Sequence, residues 1–317
     1  MALLKVSGSP HVQSKDTTKS IMWSVVIALI PALLVGVYFF GFRVLAVTAV
    51  SVAACILFEW LIQKFLLKGE QTISDGSAVI TGMLLAFNLP SNIPFYIVII
   101  GALVAIGIGK MTFGGLGKNP FNPALVGRVF LFLSFPTDVA MSQWPTANPI
   151  FGGEKLADAL TGPTPLSLMK NGESLDMINM LIGTTGGSFG EVSAIAIILG
   201  GLFMLLRKVI TWHIPVSFIA SAWLFAGILY LAGITVDPTT HILAGGLMLG
   251  AIFMATDMAT SPITKKGQII FGIGCGLLTI TFRCFGPMPE GVSFAILIMN
   301  AVTPLINKIC KPKRFGY

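Results

Sequence analysis

The sequence predicts an all-α polytopic membrane protein, with about ten transmembrane helices arranged as two inverted five-helix repeats. Three observations carry that prediction. Only 10% of the 317 residues are charged while 55% are hydrophobic, whereas a soluble domain carries about 25% charged residues. A chain so poor in charge cannot clothe a water-facing surface. Apolar runs of spanning length recur along it, and its lysines and arginines fall almost entirely on one side of those runs.

The runs are 21–41, 44–63, 76–90, 93–109, 122–136, 190–206, 213–232, 241–256, 267–283 and 290–307. The first follows a polar segment with Lys5, Lys15 and Lys19. It is too long for the apolar core of a signal peptide and no small-residue cleavage site follows it, so it is expected to remain as a helix. The third, fifth, eighth and tenth are short or contain Gly, Asn or Pro, and are expected to be discontinuous or tilted helices that line an interior. With the N-terminus in the cytoplasm, every Lys and Arg except Arg43, Arg128, Lys155, Lys170 and Arg283 falls on the cytoplasmic side. The positive-inside rule then puts both termini in the cytoplasm and the 137–189 segment outside. Residues 1–20 form a cytoplasmic N-terminal segment, 21–136 the first repeat, 137–189 an extracytoplasmic loop, 190–307 the second repeat and 308–317 a cytoplasmic tail.

Five spans per half is an odd number, so the halves must be inverted relative to each other. Weak internal echoes agree: Asp75–Leu85 pairs in position with His241–Met248, and Asn119–Leu125 with Pro289–Phe294.

Several function classes find no footing. There is no Ser-His-Asp arrangement, HExxH, P-loop or dinucleotide fingerprint. Basic and aromatic residues do not alternate, so no nucleic-acid partner is expected. Cys55, Cys275, Cys284 and Cys310 form no CxxC pair and read as small buried hydrophobes. His11, His213 and His241 read as surface or interfacial side chains.

Five polar features stand out. Asp158–Ser167 in the external loop reads either as a Gly/Pro turn with solvated hydroxyls or as a functional loop. Gly114–Pro123 combines glycines, which admit a ligand close to the backbone, with Asn119 and Asn122, whose amides suit a flat heteroaromatic with imide edges; a packed re-entrant turn is the alternative. Asp75, in Ser74–Ser77, reads as a helix cap. Asp257, in Thr256–Pro262, sits at a span's end and becomes an ion or proton site if it faces the interior. Gly183–Glu191 offers backbone amides to a phosphate, although Glu191 argues against an anion very close by.

At these residues the chain resembles the RnfD family, the D subunits of Rnf electron-transport complexes, which are homologous to the B subunits of the sodium-pumping NADH:quinone reductase. The resemblance spans essentially the whole chain. It is carried in order by SDGSAVITGMLLAFNLP, GGLGKNPFNPALVGR, DALTGPTPLS, GGSFGE and MATDMATSPIT. It implies a fold similar to urea and ammonium channels. It also implies that a flavin transferase attaches FMN through its phosphate to a threonine outside the membrane. The target pattern resembles Asp-x-x-Ser/Thr-Gly-Ala-Ser/Thr-x-x-Ser/Thr, matched by Asp158, Thr161, Gly162, Thr164 and Ser167, with Pro163 where alanine is usual. Thr164 would be the acceptor. A second, noncovalent flavin (riboflavin) is implied between helices, with Asn119 and Asn122 as candidate contacts.

The short polar N-terminus favours the Rnf relative over the quinone-reductase one. The resemblance further implies a bacterial inner-membrane complex completed by the A, B, C, E and G subunits. That complex would pass electrons between ferredoxin and NAD while moving sodium ions or protons, and this chain would not be catalytic alone. Asp257 and Asp75 are the candidates for the ion path. The competing expectations are a component of a quinone reductase and a small-solute channel on the same fold.

Overall fold

The computed structural model describes residues 17–68, 71–139, 144–145, 161–162, 164–170, 177–286 and 290–311. Among them the chain is almost wholly helical. Six segments are long and apolar enough to cross a membrane: 18–40, 43–67, 95–113, 213–231, 265–285 and 292–309.

The first half begins with α1 (Thr18–Phe40), capped by the Thr17 side chain, and α2 (Arg43–Leu61), which runs on into a π-helical turn, Ile62–Leu67. Then come α3 (Ser77–Phe87), α4 (Phe95–Gly107) and α5 (Pro123–Ser134). A short α6 (Pro136–Val139), a two-residue antiparallel pair of β1 (Trp144–Pro145) with β2 (Thr161–Gly162), α7 (Pro165–Lys170) and α8 (Met177–Ile182) form the connection. The second half holds α9 (Ala194–Leu206), α10 (His213–Leu231), a broken segment, α13 (Lys265–Phe285) and α14 (Val292–Ile309). The broken segment is α11 (Pro238–Leu243), α12 (Leu247–Leu249) and a π-helical turn, Gly250–Met254.

These ten segments fall on the ten predicted spans. At 1.5 Å per residue, α3, α5 and α9 are about 16–20 Å long and fall short of a hydrocarbon core of about 30 Å. The predicted third span, 76–90, is thus an 11-residue helix followed by non-helical backbone. The termini of the helical body share one face, here the terminal face; the α5–α9 connection lies on the other, the loop face.

Equivalent elements of the two halves meet in pairs, as a two-fold relation requires. α1 packs on α9, the first element of each half, and α5 packs on α14, the last. At the second contact Phe132 and Phe294 are edge to face at 6.0 Å. Within each half the second and fourth elements pack together: α2 with α4, and α10 with α13. Without a hydrophobic force between helices in lipid, close approach of backbones does this work. Gly272 and Gly276 of α13 sit directly against Phe218 and Ser221 of α10, with no room for a side chain.

Non-helical backbone at membrane depth must find partners inside the protein. An arginine supplies them in each half. Arg43 donates from Nε to Ser91 O at 3.0 Å and from Nη2 to Asn92 O at 3.1 Å, holding the break after α3. Arg283 donates to His241 O and, at 2.8 Å, to Ala244 O, holding the break after α11. Both arginines count as loop charges in the sequence; in the structure they hold the two broken segments.

Candidate functional site

One cavity lies between the two halves toward the terminal face, and another lies toward the loop face, between the α5–α9 connection and the second half. The cavity toward the terminal face encloses about 730 Å³ of atom-free space, including its mouth. Its walls come from both halves: α1, α3 and the start of α5 on one side, α9 and the second π-helical turn on the other. They are mainly apolar, with Met22, Ile80, Leu84, Met204 and Phe253 among them, and Ser77, Thr81, Lys110, Asn119, Asn122, Thr256 and Asp257 as the polar groups. Small-molecule sites have this composition.

Asn119 and Asn122 are both buried here, but their amides differ. Asn122 is committed to the fold: Oδ1 accepts from Ala124 N at 3.1 Å as the cap of α5, and Nδ2 donates to Met254 O across the halves at 3.1 Å. Asn119 donates to Phe121 O at 3.0 Å, while its buried Oδ1 has no partner. An unmet buried acceptor is costly, and it belongs to a residue of the cavity lining. The loop before it holds Gly114, Gly115 and Gly117 at φ +99°, +97° and +84°, a backbone only glycine adopts without strain.

Lys110, expected as a cytoplasmic loop charge, is 1% exposed. Its Nζ lies 2.7 Å from Glu59 Oε2 and 2.6 Å from Ser77 Oγ. Glu59, fully buried on α2, also accepts from Gln63 Nε2 and Thr72 Oγ1, each at 3.3 Å. Asp75 ends the turn before α3, one residue ahead of the N-cap Gly76, and accepts from Ser77 N at 2.8 Å and Ser77 Oγ at 2.6 Å. It thus holds the first residue of α3 without occupying the cap position itself, and Ser77 ties it to Lys110. Asp257 follows the eighth segment, accepts from Thr260 Oγ1 at 3.1 Å and lines this cavity and a shallower neighbour on the terminal face. Burial raises its carboxyl pKa above the ordinary value, opposed chiefly by the Thr260 hydrogen bond.

The cavity toward the loop face holds about 390 Å³. Thr164, Pro165 and Leu166 form one wall; Thr185 to Ser188, Glu191, Gly245 and Glu290 form the others. Thr164 caps α7: Ser167 N donates to Thr164 Oγ1 at 3.2 Å, and Ser167 Oγ donates to Thr164 O at 2.7 Å. Thr164 Oγ1 donates to no described residue. The Thr-x-x-Ser spacing of the motif is therefore a helix start that presents the threonine hydroxyl at the cavity wall. Thr161 and Gly162 lie on β2, next to it in sequence. Asp158 lies outside the described residues.

Behind this cavity Arg128 of α5 pairs with Glu290 at the start of α14, joining the halves. Glu191 packs against Gly246, where its carboxylate leaves no room for a side chain. His241, expected at the surface, is 3% exposed and its Nε2 lies 2.7 Å from Thr235 Oγ1. The two cavities share no lining residue. Phe87, three residues beyond Leu84 of the first lining, and Phe189, one beyond Ser188 of the second, are buried and meet edge to face at 5.8 Å.

The sequence reading missed Glu59, Lys110 and the Arg128–Glu290 pair. A signal for Glu59 existed, since it is the one carboxylate in the 44–63 run. Cys55 and Cys275 are buried free thiols as expected, whereas Cys284 and Cys310, expected to be buried as well, are only partly so.

This fold and these two cavities define a polytopic membrane protein with internal sites toward either face. The chain belongs to the NQR2, RnfD, RnfE family, whose pattern it matches over residues 5–316. It is 46% identical to the D subunit of the Na(+)-translocating ferredoxin:NAD(+) oxidoreductase complex of Acetobacterium woodii, covering 99% of this chain and 95% of that one. It is 44% identical to the D subunit of the proton-translocating ferredoxin:NAD(+) oxidoreductase complex of Clostridium ljungdahlii, over 99% and 96%. It is 36% identical to the D subunit of the ion-translocating oxidoreductase complex of Stutzerimonas stutzeri, over 95% and 93%.

Proposed function

We propose that this chain is the flavin-carrying D subunit of an ion-translocating ferredoxin:NAD oxidoreductase in the bacterial cytoplasmic membrane. FMN is esterified through its phosphate to Thr164, and a noncovalent flavin (riboflavin) occupies the cavity of the terminal face. The observation that carries the reading is the Thr164 hydroxyl: it caps α7, lines a cavity and sits in the motif a flavin transferase modifies. The terminal face is cytoplasmic and the loop face is outside, where that transferase works. The partners are the A, B, C, E and G subunits. The relatives' names divide between sodium ions and protons, so the family does not choose the ion.

Bound flavin supplies one- or two-electron transfer. The protein's own part is placement. Thr164 fixes one end of the group, and Ser167 holds the threonine backbone at the cavity wall. Thr161, Gly162 and Asp158 complete the strip the transferase reads. In the other cavity Asn119 Oδ1 accepts from the ring's N–H edge, while Asn122 keeps the two walls together. Asp257 and Asp75, near the terminal face, are assigned to the ion path.

Replacing Thr164 with Ala in the coexpressed complex should abolish in-gel flavin fluorescence of this polypeptide and the corresponding mass increment on the Thr164 peptide, with membrane insertion intact. A fluorescent Thr164→Ala band refutes the attachment site. Sodium- or proton-coupled transport unchanged by Asp257→Asn would remove Asp257 from the ion path.

A further inference from the structure

Lys110 and Glu59 are the charged groups of the structure that the functional reading leaves without a task. They form an ion pair with side chains 1% and 0% exposed. A buried pair gives little net stability, because desolvating two charges costs about as much as their attraction returns. Ionisable groups at membrane depth are expensive, and by default they mark function. The placement of this pair is one-sided. Lys110 lines the cavity, whereas Glu59 stands behind it, held by Gln63 and Thr72. An ammonium has three donors. Glu59 and Ser77 take two of them, which leaves the third for an occupant. Across the same cavity the unmet Asn119 Oδ1 offers the complementary acceptor.

We infer that the Glu59–Lys110 pair sets the reduction potential of the redox group in this cavity, with Lys110 as a positioning cation that favours the reduced form. This rests on the reading that a noncovalent flavin occupies the cavity. Reduction adds one electron to the ring, and the cation nearest the added charge lowers its energy whatever the ring's orientation. Glu59 lies on the far side of the ammonium and offsets only part of that effect. In a medium of effective dielectric about 20, a unit charge about 8 Å away changes a one-electron equilibrium by about thirtyfold, and a counter-charge about 3 Å further off brings the net effect of the pair to about threefold.

The test uses the full chain purified in detergent on a Thr164→Ala background, so that only noncovalent flavin absorbs. Flavin is acid-extracted and counted, and anaerobic redox titrations follow its absorbance. Lys110→Met removes the cation alone and should lower the ratio of reduced to oxidised flavin about thirtyfold at fixed potential, about 90 mV for a one-electron couple. Glu59→Gln keeps its hydrogen-bonding shape and should shift the ratio the opposite way. Lys110→Arg should keep the wild-type value to within a factor of about three. The double variant Glu59→Gln/Lys110→Met buries no lone charge, so it reports the potential should Lys110→Met alone fail to fold; it should still titrate lower than wild type. Bound flavin with a potential unmoved in all these variants overturns the inference, as does a shift of the same sign in both single variants. Absence of extractable flavin from the parent chain instead refutes the flavin reading of the cavity.

Discussion

Gly82→Ala tests how α3, which lines the terminal-face cavity, is held against α2. Gly82 lies on α3 one residue beyond Thr81, a cavity-lining side chain. A Cβ added there would sit 2.7 Å from Val52 Cα and 2.9 Å from Val52 N of α2. Both are backbone atoms, so no rotamer relieves the overlap, and the helices must separate by about 0.7 Å to regain the 3.4 Å of ordinary contact. That strain costs about 1–3 kcal/mol. Separation also stretches the hydrogen bond from Ser51 Oγ to Gly82 O, now 2.7 Å; such interhelical bonds contribute about 0.6 kcal/mol in membranes. The better helix propensity of alanine returns about 0.5–1 kcal/mol, so the net loss is about 1–3 kcal/mol. Gly107→Ala is the control. Its added Cβ would meet nothing closer than Ile62 Cδ1 at 3.8 Å, so only the propensity gain of up to about 1 kcal/mol remains. Thermal melting of the two variants in one detergent, followed by size-exclusion chromatography of the heated samples, compares them directly. Gly82→Ala should melt below wild type and Gly107→Ala at or above it. Equal melting temperatures for the two would refute the close-packing account of the α2–α3 contact.

Arg283→Lys should lower the yield of folded protein nearly as much as Arg283→Met, because lysine lacks the planar fork whose separate Nη1 and Nη2 reach His241 O and Ala244 O; wild-type yield for the lysine variant would show that charge alone suffices. Asn122→Ala removes both a helix cap and the tie to Met254 O, and should cost about 2 kcal/mol as the sum of a cap of about 1 and a hydrogen bond of about 1, read as a lower melting temperature. Asp257 has a raised folded-state pKa, so the folded protein holds that proton more tightly than the unfolded chain does. The ionised carboxylate therefore penalises folding, with the penalty growing as pH rises above the ordinary 3.8 and levelling off above the folded-state pKa. Asp257→Asn should accordingly gain stability over wild type as pH increases across that window; a gap in melting temperature that stays constant or narrows with pH would contradict this.

The helical architecture was legible because its cause is local. Twenty apolar residues cannot face water wherever they sit, and an odd count of spans per half forces inversion without any knowledge of contacts. The breaks in the third and eighth segments were also foreshadowed by Gly, Asn and Pro, since those residues free backbone groups within the segment itself. What holds the breaks was not legible. Arg43 lies 48 residues from Ser91, and Arg283 lies 42 from His241, and no sequence period links them.

The charges show the limit most clearly. The positive-inside count treats each lysine as a point outside a span, which suits Lys265 and Lys266 but not Lys110. Lys110 follows an apolar run as they precede one, yet Gly107 to Lys110 turns it back toward Glu59, 51 residues earlier. Glu59 on the apolar 44–63 run was the available sign that some cation must come to it, because an unpaired carboxylate at that depth would cost several kcal/mol. The same reasoning separates Asn119 from Asn122. They look alike in the sequence, but a capping position and a tie to Met254 O consume the second amide, and the first, three residues earlier, is left with a buried acceptor without a partner among the described residues.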